Sequence, residues 1–258
     1  MITLYFSATG NSLTVAKKIG GELISIPQAV KNDQYKFEDD VIGLVFPTYC
    51  CYPQKIVRDF MAKAKLKADY LFAVATYGNA MGKGGDGSEM LEFDKLAKAA
   101  GYSFSYLNSI LMVDNFIDNF DIEKEIKKIP SKRIDENIIL TIEDIKNRKT
   151  YIKNPGFMGK MITAICKGLV ASQDKGLAAQ KFLVDDSCTG CATCVKVCPY
   201  GNISVRDGIP QFGTNCMSCY ACIHNCPHKA IHKKSEKSAK RWRNPEVTLK
   251  EIIAANYQ

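Results

Sequence analysis

The chain has 258 residues, 46% of them hydrophobic, and a formal net charge of +8. This length and composition indicate a globular protein with room for two domains. Its longest apolar stretches, such as residues 161–166, are too short for a bilayer, so we expect no membrane span. Residues 1–6 lack the charge and length of a signal peptide, and we therefore expect a cytoplasmic protein.

The first half of the chain alternates apolar, strand-like runs with helical patterns. The strand-like runs are 2–6, 23–26, 41–46, 70–76 and roughly 104–113. The helical patterns lie at 12–20, 53–65, 88–100, 121–128 and 132–149. This alternation predicts an α/β domain over residues 1–152 with a doubly wound, five-stranded parallel sheet. We expect its ligand beside the carboxyl ends of the strands, where the strand order reverses.

A hydroxyl-rich loop follows the first strand, and a helix begins directly after it. The loop reads Ser7-Ala8-Thr9-Gly10-Asn11-Ser12. The free N–H groups and positive dipole of a helix N-terminus attract a phosphate, and hydroxyl groups can donate further hydrogen bonds to it. The loop has no lysine, which excludes a Walker loop. The alternative is that its hydroxyls only cap the helix.

This loop resembles the FMN phosphate loop of the flavodoxins. The resemblance implies that the phosphate is bound by Ser7, Thr9, Gly10, Asn11 and Ser12. Two more loops match the flavodoxins in position, and the resemblance implies that they hold the isoalloxazine ring. They are Pro47-Thr48-Tyr49 after the third strand and Thr76-Tyr77-Gly78-Asn79 after the fourth.

The two loop tyrosines are candidates to stack on the flavin, because an aromatic ring offers a flat, weakly polar face. The alternative is that Tyr49 and Tyr77 are surface residues in turns. The loop over residues 47–53, PTYCCYP, lacks the glycine whose peptide often flips in flavodoxin-like domains to bond the half-reduced flavin. Its adjacent Cys50 and Cys51 are either a redox-active thiol pair or small residues that pack.

Two other sequence features limit the functions that the first domain can have. Gly82, Gly84 and Gly87 match the spacing of a dinucleotide-binding loop, but they lie too far after the strand and favour a loop at the rim of the flavin site. No histidine precedes His224. A hydrolase with a Ser-His-Asp or Cys-His site in the first domain is therefore excluded.

Residues 153–182 are predicted to be a connector packed between domains, with Cys166 buried in its apolar run. A cysteine pattern that occurs twice then defines a second domain over residues 183–232. The run C-x-x-C-x-x-C-x-x-x-C-P recurs at an offset of 28 residues, from Cys188 to Cys216. Separated cysteine pairs would suit zinc, but a third cysteine at the same spacing does not.

This run is the ligand pattern of bacterial two-cluster ferredoxins, in which the fourth cysteine binds the other [4Fe–4S] cluster. We therefore predict a small α+β, two-cluster ferredoxin-like domain with crossed ligands. One cluster would be held by Cys188, Cys191, Cys194 and Cys226, and the other by Cys216, Cys219, Cys222 and Cys198. The whole arrangement resembles a family of flavodoxin–ferredoxin fusions.

The remaining residues join the cysteine runs or follow them. Residues 203–212 predict a hairpin with Asp207-Gly208 at its turn. Residues 233–258 predict a basic extension that ends in a short helix capped by Thr248. Residues 229–243 carry seven Lys/Arg against Glu236 alone. This stretch suits a solvated segment, an acidic redox partner protein or an anionic lipid surface, and not nucleic acid.

These observations predict a protein that passes electrons between FMN, two [4Fe–4S] clusters and external redox partners. The cofactors would carry the chemistry, and no side chain needs to act as an acid or a base. Two alternatives stay open. One is a flavin-dependent reductase of a specific small molecule, and the other is a redox-sensing module that binds a partner.

Overall fold

The computed structural model describes residues 1–78, 88–153 and 155–257. Asn79 and the glycine-rich segment at 82–87, both singled out above, lie outside these described residues. None of the helices in the described ranges is long and apolar enough to cross a bilayer.

The first 152 residues form an α/β unit. Its strands are β1 (Ile2–Tyr5), β2 (Glu22–Ser25), β3 (Lys36–Glu38), β4 (Val41–Tyr49), β5 (Tyr52–Pro53), β6 (Lys65–Lys67), β7 (Tyr70–Tyr77), β8 (Tyr106–Leu111) and β9 (Tyr151–Ile152). Its helices are α1 (Asn11–Ile19), α2 (Ile26–Lys31), α3 (Lys55–Met61), α4 (Ser88–Ala99), α5 (Ile122–Lys127) and α6 (Ile134–Lys146), with a 3-10 turn at Ile129–Lys132.

The main sheet has the order β2-β1-β4-β7-β8-β9, and all of these neighbours are parallel. The five predicted strands are confirmed, but the prediction of a five-stranded sheet was incomplete. β9 extends one edge, and β5 pairs with β4 in the antiparallel direction. Both strands have two residues, too few to show a periodic pattern in the sequence.

The order of the sheet reverses between β1 and β4. From β1 the chain moves outward to β2, then crosses back to β4 and continues to β7 and β8. With right-handed crossovers, the helices that follow β1 and β4 lie on opposite faces of the sheet. The loops after β1, β4, β7 and β8 all leave from the carboxyl edge, which is where a doubly wound sheet binds its ligand.

The remainder of the chain contains the cysteine runs. Its helices are α7 (Phe157–Gln173), α8 (Thr193–Lys196), α9 (Ala221–His224) and α10 (Leu249–Asn256), with a 3-10 turn at Ala178–Lys181. Its strands are β10 (Phe182–Val184), β11 (Ile203–Arg206), β12 (Ile209–Phe212) and β13 (Ile231–Lys233). β10 pairs with β13, and β11 with β12, both antiparallel.

Several predictions for this part are confirmed. The hairpin turns at Asp207 and Gly208, and Thr248 caps α10 through a capping box with Glu251. The connector, by contrast, is mostly the helix α7, and only one of its faces is packed. Cys166 and Val170 are buried there, whereas an apolar stripe is exposed. The stripe consists of Phe157, Met161, Ile165 and Leu169.

Candidate redox site

The cysteine motifs surround two cavities. Each cavity is lined by three cysteines of one motif and the fourth cysteine of the other. The first is lined by Cys188, Cys191, Cys194 and Cys226. The second is lined by Cys198, Cys216, Cys219 and Cys222.

The two motifs repeat in backbone conformation as well as in sequence. α8 and α9 occupy equivalent positions, and left-handed residues recur at the offset of 28 around them. These residues bend the chain around each cavity so that successive cysteines face inward. The equivalent pairs are Gly190 with Ser218, Ala192 with Tyr220, and Gly201 with Lys229.

The cysteines suit a cluster more than a single ion. Within the described residues, no three His, Cys, Asp or Glu side chains converge as ligands of one metal ion would. In a [4Fe–4S] cluster each of the four thiolates binds a different iron, so the sulfurs surround a volume and do not share one point. Four cysteines around a cavity fit this donor geometry.

Burial and mutual repulsion disfavour free thiolates in the cavities. Burial raises the pKa of Cys194 to about 11, and Cys226, Cys191 and Cys188 add to the shift. Burial also raises the pKa of Cys222 well above its ordinary value. Cys191 differs from these two cysteines, because a hydrogen bond with Thr193 lowers its pKa. Iron binding to these cysteines would therefore release protons.

The two cavities differ in exposure. Cys191 in the first cavity is exposed, and Cys188 and Cys226 are half-buried. In the second cavity Cys198, Cys219 and Cys222 are buried, and only Cys216 is half-buried. The first cavity is therefore the more accessible to a partner or a reagent.

The loop after β1 leads into α1 without a side-chain cap. Gly10 has φ 97°, in the left-handed region, and Ser7 Oγ accepts a hydrogen bond from its N–H at 3.1 Å. The helix begins with three buried residues, Asn11, Ser12 and Leu13, and no side chain caps its N-terminus. The capping alternative is therefore wrong. Because the first N–H groups of a helix lack acceptors within it, this buried end suits an anion.

The outer, carbonyl side of the same loop is bonded by residues from the far end of the chain. Three successive carbonyls each accept one hydrogen bond from such a residue. The bonds are Asn256 Nδ2 to Ser7 O at 2.9 Å, Asn225 Nδ2 to Ala8 O at 3.1 Å, and Asn244 N to Thr9 O at 2.8 Å.

The C-terminal segment 242–257 thus forms a clasp over the loop. Trp242 is buried, and a Cβ built at Gly10 would lie 3.0 Å from the Cβ atoms of Asn244 and Val247. The clasp residues donate hydrogen bonds to carbonyl groups of the loop, and carbonyl groups do not bind anions. The N–H groups at the start of α1 are thus left for a ligand. The residues therefore fit the phosphate of FMN.

The other predicted flavin loops meet at the same edge. Pro47 pairs with Thr76 in the sheet register, and Thr76 Oγ1 is 2.7 Å from Ser12 Oγ. Thr48 pairs with Pro53 across the β4–β5 hairpin. Strand pairing and this hydroxyl contact thus bring together the described residues of all three predicted loops.

The two loop tyrosines are not surface turn residues. Tyr77 is buried. Tyr49 is half-buried, and burial raises the pKa of its hydroxyl well above the ordinary value, with nearby Cys219 adding to the shift. A Cβ at Gly78 would lie 2.5 Å from Asp114 Cβ, so only glycine fits there. Tyr49 borders a pocket together with Met217, which also lines the second cavity.

Polar contacts fix the cysteine-bearing part onto this edge. Gln54 Nε2 donates to Met217 O at 2.6 Å, and Tyr200 Oη donates to Gln54 Oε1 at 2.6 Å. Both partners of Gln54 line the second cavity. The sequence did not predict these contacts, because an isolated glutamine after a strand belongs to no recognisable motif.

The loop after β8 makes further contacts with the second part of the chain. Tyr220 Oη and Lys233 Nζ both bond Asp118 Oδ2, at 2.6 and 2.5 Å. His224 bonds the Asn115 carbonyl through Nε2 and accepts from Trp242 N through Nδ1. Part of the predicted basic extension is therefore buried against the first domain.

Comparisons with known proteins support the iron–sulfur part. A family model described as a 4Fe-4S dicluster domain matches residues 159–244, which indicates an iron–sulfur electron-transfer role for this part of the chain. A search of curated proteins gave no significant match. A solved structure titled "The Structure of Trp Repressor Binding Protein from Bacillus subtilis" is 12% identical, over 44% of this chain and 85% of that one, with a TM-score of 0.30.

Proposed function

We propose that this protein transfers electrons between two [4Fe–4S] clusters and FMN, and exchanges them with a redox partner protein. The observation that carries the proposal is the pair of cavities, each lined by four cysteines drawn from both motifs. Crossed ligation of this kind is the arrangement of two-cluster ferredoxins. It holds the two clusters in one small unit.

FMN is proposed at the carboxyl edge of the sheet. The order of β2, β1, β4, β7 and β8 corresponds to the flavodoxin-like order 2-1-3-4-5, whose switch point binds FMN. The uncapped, buried start of α1 would hold the phosphate, with Thr9 and Ser12 beside it. The loops at Pro47–Tyr49 and Thr76–Gly78 would enclose the ring.

The second cluster is proposed to be the neighbour of the flavin. Tyr49 borders a pocket together with Met217, which lines the second cavity, and Gln54 bonds two residues of that cavity. FMN, when bound, can exchange one or two electrons, whereas each cluster carries one. The side chains between the two sites would hold FMN and the second cluster in place and exclude water between them.

The first cluster would be the point of entry or exit for external electrons, because its cavity is the more exposed. Exposed lysines lie in the adjoining segment, at Lys229, Lys234, Lys237 and Lys240. We therefore propose that an acidic redox partner protein docks there. Thiolate-bound clusters also need a reducing compartment, so the proposal places the protein in the cytoplasm of a cell with low-oxygen metabolism.

Anaerobic purification followed by iron, sulfide and flavin analysis tests this function. The proposal expects about eight iron and eight sulfide per chain, four of each per cluster, and one non-covalent FMN. Aerobic loss is controlled by reconstituting the clusters anaerobically before measurement. Stoichiometric zinc without an iron–sulfur spectrum would refute the ferredoxin part, and FAD in place of FMN would refute the flavin part.

A further inference from the structure

Three cysteines outside the cluster motifs meet at the tip of the β4–β5 hairpin. Cys166, on the buried face of α7, interacts with Cys50 and with Cys51. α7 is held to the hairpin by a bond from Tyr52 Oη to Thr163 O at 3.3 Å. All three cysteines are thiols that take part in no disulfide.

The backbone of the hairpin turn is strained, because two cysteines occupy positions with positive φ. Cys50 has φ 49° and Cys51 has φ 65°, and they form the two-residue turn between Tyr49 and Tyr52. Positive φ at both central residues usually selects Asn-Gly or Asp-Gly, and each L-residue there costs about 1–2 kcal/mol. The other hairpin of this chain meets the same demand with Asp207 and Gly208.

The chemistry that three adjacent thiols support is thiol–disulfide exchange. Cys50 is half-buried and Cys166 is buried. An accessible cysteine next to a buried one matches the division between an attacking and a resolving thiol.

The trio is also next to the proposed electron path. Tyr49 directly precedes Cys50, and it borders a pocket together with Met217, which also lines the second cavity. Iron–sulfur clusters reach potentials low enough to reduce a disulfide.

We propose that Cys50 and Cys166 form a reversible redox pair that reduces a disulfide substrate with electrons from the clusters. Cys50 attacks the substrate disulfide and forms a mixed disulfide, releasing one substrate thiol. Cys166 then attacks the Cys50 sulfur, releasing the second substrate thiol and leaving a Cys50–Cys166 disulfide. When bound and reduced, each cluster would supply one of the two electrons that, with two protons, restore both thiols. The last step rests on the proposed function, whereas the exchange steps do not.

The first experiment measures the exchange alone. The full chain is treated anaerobically with oxidised glutathione, quenched in acid, unfolded and alkylated, and its labels are mapped by mass spectrometry. The proposal expects two fewer labels than the untreated chain, both lost at Cys50 and Cys166. Cys51→Ser is the matched control and should lose the same two. Cys166→Ala should instead retain a glutathione adduct on Cys50, because the resolving thiol is absent.

The second experiment adds the clusters. In reconstituted protein that carries the disulfide, photoreduction of the clusters should restore both labels as the cluster absorbance recovers. Full labelling after glutathione treatment, or a disulfide between other cysteines, would overturn the proposal. So would a disulfide that persists while the clusters are reduced. If no cluster can be loaded, the proposed function fails, and the glutathione experiment still decides the thiol pair.

Discussion

The indole N–H of Trp242 donates a hydrogen bond to Asn11 Oδ1 at 3.0 Å, joining two residues 231 positions apart. Asn11 opens the helix at the proposed phosphate site, and its Nδ2 donates to Val113 O at 3.0 Å. The indole thus connects the clasp to the loops after β1 and β8. The integrity of the proposed flavin site therefore depends on the end of the chain.

Replacing Trp242 with Phe removes this bond and keeps an aromatic ring in the buried position. Asn11 Oδ1 retains only the longer contact with Asn244 Nδ2, at 3.3 Å. We expect a loss of about 1 kcal/mol in the free energy of unfolding, the usual net value of one hydrogen bond. Anaerobic urea unfolding followed by circular dichroism measures it. Tyr257→Phe, at an exposed site, is the control, and equal effects of both changes would contradict the account.

Replacing Gly10 with Ala tests the clasp directly. Its Cβ would be 3.0 Å from two clasp residues, and its φ of 97° is itself unfavourable for alanine. Gly101→Ala is a matched control, because Gly101 has φ 86° and open space around the built Cβ. Both variants should lose about 1–2 kcal/mol from the backbone, and Gly10→Ala should lose more.

Trp242 is the sole tryptophan, so its fluorescence tests whether the extra loss of stability in Gly10→Ala arises at the clasp. In Gly10→Ala the fluorescence of Trp242 should shift to longer wavelength as the clasp loosens, and in Gly101→Ala it should not. Matching fluorescence and stability in the two variants would show that the clasp does not press on the loop.

Replacing Thr9 and Ser12 together with Ala should weaken FMN binding. Each hydroxyl lies at the buried start of α1, and a hydrogen bond to a charged phosphate contributes about 1.5–3 kcal/mol. The combined loss of about 3–6 kcal/mol predicts an affinity on the order of 10²–10⁴-fold lower with unchanged iron content. Flavin fluorescence titration measures it, with the exposed-strand change Ser204→Ala as control. Parental FMN affinity in the double variant would refute the assignment of this loop.

Crossed ligation predicts an unusual outcome for Cys198→Ala. Although Cys198 belongs to the first motif, the change should remove the buried second cluster and leave the exposed first one. Iron should fall to about half, and a chelator should remove the remainder quickly. Cys226→Ala should give the reciprocal result, with the slowly chelated cluster remaining. The reverse assignment of fast and slow iron would show that each motif binds its own cluster.

The regular features of this molecule were predictable from sequence, and the long-range polar contacts were not. The cysteine spacing and the alternating apolar runs repeat, so they predicted the motifs and the five main strands. Asn225, Asn244 and Asn256 reach the first loop from scattered positions that carry no periodic signal. Cys166 likewise meets Cys50 only through the packing of α7, because neither cysteine belongs to a motif.

The central claim is that clusters and FMN exchange electrons within one chain. The hydrogen bonds of Gln54 hold the second cavity beside the proposed flavin loops, so transfer should not require a collision. Anaerobic rapid mixing with a one-electron donor, following cluster and flavin absorbance over a tenfold dilution series, measures this most directly. The account predicts a flavin step whose rate is independent of protein concentration. A flavin step that slows in proportion to dilution would contradict it.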